Sequence, residues 1–334
     1  MDAPQFDQIA RRVFAAANRR RVLGALGGLV AAPLLGGTRA EAKKKKKPVC
    51  LNGDTVKAAG KKRKKLIKRG ATPGACPTVA CTVTCTGTPV ACGAALQRAL
   101  NDGGNIVACP GLYQGPFTLT KSATLTGAGS GDNPASSTIL DGQDGDGATL
   151  QASGAIMFTL SGVRVTGGTQ RAGLLTLEQV DARVNSCTFS DNYTGIEALG
   201  KLQLANSTVS GNGAGFGGGL YLYGPGPYFV DNCVISENRA SLLGGGVFIG
   251  ALGSAADVTI TGTRIQGNTA GSGGGIHMSK GPVRLDSATT ITNNTATGTG
   301  GGVNVAGGTF VQNGANISGN NAPTQPNCAG VSCT

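Results

Sequence analysis

Tryptophan is absent from this 334-residue chain, histidine occurs once, aromatic residues make up 4% and charged residues 14%. A single imidazole excludes most metal sites and the acid–base mechanisms built on histidine pairs. The 57 glycines follow no Gly-X-Y period, which excludes collagen. Hydrophobic residues at 40% are too many for a disordered chain. No apolar run is long enough to span a bilayer, since Val22 to Leu35 supplies only about 14 residues. What is left is a small-residue, β-rich chain whose front end differs from its body.

Charge marks the difference. The chain carries +12 overall, and residues 43–76 hold thirteen Lys/Arg against the single acid Asp54. Residues 77–334 hold ten basic and thirteen acidic side chains, so the high pI reports one short segment. Ahead of it, Arg19-Arg20-Arg21 leads into the apolar run, which closes on Ala40-Glu41-Ala42. That small-x-small close is what signal peptidase reads. The stretch resembles a bacterial twin-arginine signal, with the pair at Arg19-Arg20, and implies export of a chain beginning at Lys43. Residues 1–42 are therefore expected to be a signal peptide, with no transmembrane anchor after it.

Export permits disulfides. Of the ten cysteines, Cys50, Cys76, Cys81, Cys85, Cys92 and Cys109 crowd the front, and Cys328 and Cys333 close the C-terminus. Their spacings lack the paired C-x₂-C signature of zinc modules, so a terminal disulfide framework of open connectivity is expected. Lys43, Lys44, Lys45, Lys46 and Lys47 form one basic block. Lys61, Lys62, Arg63, Lys64, Lys65, Lys68 and Arg69 form a second. The piece from Cys50 to Cys76 resembles a short two-cysteine motif of secreted bacterial proteins, in which C-x-x-G-x-T precedes a basic or His-rich stretch and G-x-C. The segment 43–76 reads as a basic, Cys-bounded leader or linker. Its two blocks are candidates for holding an anionic surface polymer. No aromatic residue lies between Lys43 and Cys76 to stack on bases, which speaks against nucleic acid.

Self-similarity over residues 93–325 dominates the body of the chain, residues 77–334. Units aligned on Asn192, Asn212, Asn238, Asn268, Asn294 and Asn320 follow one another at 20, 26, 30, 26 and 26 residues. Glycine triplets at Gly217–Gly219, Gly244–Gly246, Gly273–Gly275 and Gly300–Gly302 each precede a short apolar–other–apolar strand. Glycine triplets break helices and β-branched doublets favour pleated sheet. The asparagines and glycines are expected to supply the left-handed backbone at corners. Strand, corner, strand, repeated every 20 to 30 residues, is one coil of a parallel solenoid.

These repeats are similar to the right-handed parallel β-helix family of pectate-lyase-like architecture. The likeness is to surface forms with N-x-A-x-x-G-G-G-I repeats, as in Asn268-Thr269-Ala270 before Gly273–Ile276 and Asn294-Thr295-Ala296 before Gly300–Val303. Ala94–Gly103 and Ile106–Tyr113 resemble the family's capping helix and first strand. The resemblance implies an all-β, single-stranded right-handed β-helix with a short N-terminal capping helix.

The catalytic patterns of such enzymes are not found. No Asp-Asp pair or G-H-G occurs, and the nearest match to R-I-K is Arg264-Ile265-Gln266. Asp141-Gly142-Gln143-Asp144 reads as a polar turn, off the pattern of a calcium loop. Asp191 and Glu237 share a repeat position two units apart, roughly 9–10 Å on ~4.8 Å coils, and are the one weak catalytic pair. The outward column Glu197, Tyr221, Phe248, His277, Asn304 offers neighbouring rings, and Tyr221, Phe248 and His277 are the candidate binding residues. Cys187 and Cys233 share a column two rungs apart and should stay reduced. The expected function is non-catalytic binding of carbohydrate or surface polymer at the cell surface or outside it. A polysaccharide-active hydrolase or lyase stands second. A monomer with no cofactor and no metal is expected.

Overall fold

The computed structural model describes residues 46–51, 54–68, 72–73, 80–250 and 257–333. The expected signal peptide over residues 1–42, Lys43, Lys44, Lys45, Arg69 and Cys76 lie outside the described residues. Within the basic segment the chain forms secondary structure. Strands Lys47–Leu51 and Asp54–Ala58 pair antiparallel, helix α1 follows at Gly60–Lys68, and Thr72–Pro73 returns against the first strand. Lys61, Lys62, Lys64 and Lys65 are exposed on α1, while Leu66 and Ile67 are half-buried.

From residue 104 onward the chain winds as a parallel β-solenoid of three nine-stranded sheets. The first runs from Gly104–Val107 to Thr309–Val311, the second from Gly111–Gln114 to Asn316–Ser318, and the third from Phe117–Leu119 to Cys328–Ala329. Alternation decides which side chains enter the lumen. Val165, Phe189, Val209, Ile235, Ile265 and Ile291 stack inward from the second sheet, each fully buried. The inward columns of all three sheets join one continuous core. Tyr228 enters from the first sheet, where its hydroxyl donates to the Ala198 carbonyl at 3.0 Å and accepts from the Gly224 amide at 2.7 Å.

An open solenoid end must be covered. Helix α2, Pro89–Asp102, does this at the front. Its Thr88 N-cap accepts from the Ala91 amide, Pro89 opens the helix and Gly103, at φ 77°, ends it. Leu96 and Leu100 are fully buried against the first rung. Gln97 donates to the Thr118 carbonyl and accepts from its amide, both at 2.9 Å, so one side chain completes the edge of the third sheet. Disulfides Cys81–Cys109 and Cys85–Cys92 tie this cap, and Cys328–Cys333 closes the far end. The helix begins five residues before the expected Ala94. The expected strand over Ile106–Tyr113 is two strands, broken at the Cys109-Pro110 corner because proline has no amide to donate.

The corners correct one expectation. The repeated asparagines are not the left-handed residues. That conformation falls on the residue before each: Asp191 (φ 58°), Gly211 (67°), Glu237 (57°), Gly267 (66°), Asn293 (57°) and Gly319 (65°). The asparagines turn inward and form a buried amide ladder. Asn212, Asn238, Asn268 and Asn294 each donate through Nδ2 to the next asparagine's Oδ1, at 2.8, 3.0, 2.9 and 3.0 Å. Each Oδ1 also accepts a backbone amide, so the corner's polar groups are paired out of water. The glycine triplets stack in the same way. A Cβ on Gly245 would lie 2.5 Å from the Gly274 carbonyl oxygen, and one on Gly246 would lie 2.6 Å from that of Gly275, so backbone packs on backbone. At the opposite corner Cys187 and Cys233 are buried free thiols with Ser207 between them. Burial pushes the Cys187 thiol up to about 12 and the Cys233 thiol up to about 11.

Candidate functional site

The outward column of the third sheet has the expected register. Glu197 pairs with Tyr221, Tyr221 with Phe248, Phe248 with His277 and His277 with Asn304. Its exposure differs from expectation. Phe248 is 6% and His277 4% exposed, although both face away from the lumen. For Phe248 the surrounding rings account for this, one of them reaching it from a second layer. Strands Gly213–Phe216, Arg239–Leu243, Thr269–Ala270 and Thr295–Ala296 build a fourth, four-stranded sheet between each asparagine corner and its glycine triplet. From it Phe216 meets Phe248 edge-on, with ring centroids 5.5 Å apart. Tyr221 and His277 stack on the two faces of Phe248 at 5.2 and 5.6 Å, and Tyr223 approaches to 6.4 Å. Phe248 is thus ringed by aromatics and unavailable to a ligand. His277 donates or accepts at the Ser279 hydroxyl through Nε2, 3.1 Å away, while its Nδ1 is buried without a partner. Burial lowers its pKa, favouring the neutral ring.

The column opens one step earlier. A single residue, Tyr193, separates Asn192 from strand Thr194–Ala198, whereas Gly213–Gly219 separates Asn212 from strand Leu220–Leu222. Where the short corner gives way to the long one, a cleft of about 310 Å³ forms between Gln170, Arg171, Tyr193, Thr194, Glu197, Phe216 and Tyr221. Tyr193 and Phe216 are 43% and 40% exposed, and the Tyr193 hydroxyl accepts from the Gly215 amide at 3.1 Å, which fixes that ring. Arg171 and Glu197 approach to 3.7 Å at the cleft wall. Burial raises the Glu197 carboxyl pKa, and the Arg171 charge opposes this only in part. Burial also raises the Tyr221 hydroxyl, with Tyr223 and Glu197 adding to it.

Compared with known families, residues 146–322, more than half of the chain, match the family model described as a right-handed beta helix region. The chain belongs to the right-handed β-helix family. The solenoid is therefore a right-handed parallel β-helix, as the repeats implied. No curated protein and no solved structure matched the chain.

The remaining expected residues of the β-helix fall elsewhere. Asp191 and Glu237 stand on the outer corner with Gly211 between them, exposed and outside the cleft at Tyr221. Asp191 pairs with Arg164 at 3.1 Å. Asp141 accepts from the Gln143 amide, making the polar turn that was read there. Among the described residues no three His, Cys, Asp or Glu side chains converge in a group able to hold a metal ion. No described helix is long and apolar enough to cross a membrane. The structure brings Tyr221 into the cleft and leaves Phe248 and His277 beneath cover. Sequence reasoning missed Gln170, Arg171, Tyr193 and Phe216. One signal was available: the asparagine spacing jumps from 20 to 26 residues where the cleft forms.

Proposed function

We propose that this β-helix is an exported, non-catalytic protein that binds carbohydrate on the outer face of its third sheet. One observation carries the reading. The cleft at Tyr221 joins exposed aromatic faces to an Arg–Glu ion pair that can donate and accept hydrogen bonds, the combination that holds a sugar ring by apolar contact and directed polar contact. The disulfides and the fold are compatible with an extracellular protein. Export by the twin-arginine route, cleavage after Ala42 and a monomeric state belong to the same proposal. The basic strand–strand–helix segment supplies a second, electrostatic attachment to an anionic surface polymer through Lys46, Lys47 and the Lys61–Lys68 block. A glycan array probed with the secreted chain tests the reading. Binding to at least one carbohydrate class is expected, and no binding to any glycan contradicts it.

A polysaccharide-active enzyme is the second reading, favoured by the half-buried Glu197 whose carboxyl is held toward its protonated form. No second carboxylate lines the cleft among the described residues, which opposes a two-carboxylate glycosidase. Release of reducing ends or unsaturated uronides that stops in Glu197→Gln would establish it.

A further inference from the structure

Glu197 occupies a position that costs the fold. Its side chain is 21% exposed, held between Leu175 and Tyr221 in the outward column. Leu175 belongs to a small buried cluster with Ala148 and Ala172, and Tyr221 begins the aromatic stack. A leucine or tyrosine would suit that column, yet a carboxylate stands there. Among the described residues its ion-pair partner is Arg171 at 3.7 Å, and the Arg171 side chain is 51% exposed. A strong carboxylate–guanidinium pair closes to roughly 2.7–2.9 Å and occupies both groups. At the longer distance both retain capacity for a third partner.

We infer that this cleft seats a single uncharged pyranose ring, its face on Tyr193, Phe216 or Tyr221 and its hydroxyls shared between Glu197 and Arg171. The inference rests on the carbohydrate reading and names its ligand class. Opposite unit charges side by side cancel, so a uronate gains Arg171 but meets Glu197, and an amino sugar meets the reverse. A neutral ring meets no such opposition. Its hydroxyls both donate and accept, which matches an acceptor set beside a donor. The volume of about 310 Å³ lies at the lower end of ligand sites and fits one ring better than an oligosaccharide. Gln170 adds an amide at the same wall. The cost of burying the Glu197 charge is then the mark of a group retained for contact with ligand.

The test uses the full secreted chain and the methyl glycosides of glucose, galactose and mannose, with glucuronate and glucosamine as charged counterparts. Saturation-transfer NMR and calorimetry read binding, and thermal melting at pH 7 reads stability. At least one neutral glycoside is expected to bind more tightly than either charged sugar. Glu197→Gln should weaken it tenfold or more while melting at or above the wild-type temperature. A charged sugar preferred over every neutral one overturns the inference, as does neutral-sugar binding unchanged in Glu197→Gln. If Glu197→Gln melts below wild type, the carboxylate is structural and the inference falls. Polysaccharide binding that is lost with Tyr221 but indifferent to Glu197 leaves the carbohydrate reading standing without it. No binding of any mono- or polysaccharide by the wild type removes both.

Discussion

Two halves of one column carry opposite fates. Glu197 and Tyr221 line an open cleft, while Phe248 and His277, one and two rungs further on and equally outward, are buried. The strands are alike and the register is unbroken. What differs is the fourth sheet beside each rung. The rung of Glu197 is fed by the single residue Tyr193 and has no strand of it. The rung of Tyr221 carries its first strand, with none on the Glu197 side, and the rungs of Phe248 and His277 have a strand on both sides. Facing away from the lumen of a solenoid is therefore not the same as facing water. A site arises where the covering layer begins.

The largest expected effect separates the halves by stability. Phe248→Ser should cost about 3–5 kcal/mol, the range for emptying a buried phenylalanine site, and Tyr221→Ser about 1–2 kcal/mol. Urea unfolding with a common baseline reads both. Equal losses would mean that the fourth sheet does not cover Phe248.

A second contrast sets the ladder asparagines against the column's own Asn304, which is half-exposed. Asn268→Ala should cost about 3 kcal/mol, because it strips partners from the Asn238 side chain and amide and from the Ile235 carbonyl. Asn304→Ala removes one bond, to the Thr299 hydroxyl, and should cost about 1 kcal/mol or less. Similar values for the two would show that the ladder's amides find other partners.

The smallest effect distinguishes the halves by the sign of their pH dependence. His277 has its pKa lowered from the ordinary 6.5, so the stability held with its neutral ring is present above that value and is lost as pH falls through the lower folded value. Glu197 has its pKa raised from 4.5, so its contribution is present below 4.5 and is lost as pH rises through the higher folded value. Melting temperature followed from pH 4 to pH 8 should lose its acid-side slope in His277→Phe and its slope just above pH 4.5 in Glu197→Gln. The same profile in both variants would contradict this assignment.

Much of the fold was legible because a solenoid repeats its physics. Alternation in strands such as Ile276–Met278 gave the inward columns, and the asparagine spacing gave the coil register, which placed Cys187 and Cys233 correctly. The capping helix was legible through the family likeness of Ala94–Gly103, though its start at Pro89 was not. The corner chemistry was misassigned because asparagine serves both left-handed turns and amide ladders, and only packing reveals which. The site was half legible. Tyr221 and Glu197 follow from register, whereas Arg171 and Phe216 reach the cleft from other segments that no repeat alignment joins to it. The burial of Phe248 depends on a layer built from corner residues, whose short Thr-Ala strands carry little pattern of their own.

The central claim, that carbohydrate binds at the open half of the third sheet's outer face, is tested most directly by comparing two variants of the full chain on one glycan array. The first is Tyr221→Ser, and the second replaces Lys61, Lys62, Lys64 and Lys65 by glutamine. The account predicts that neutral-glycan binding is lost in the first and retained in the second. Binding that survives Tyr221→Ser but disappears with the lysines would contradict it and assign attachment to the basic segment.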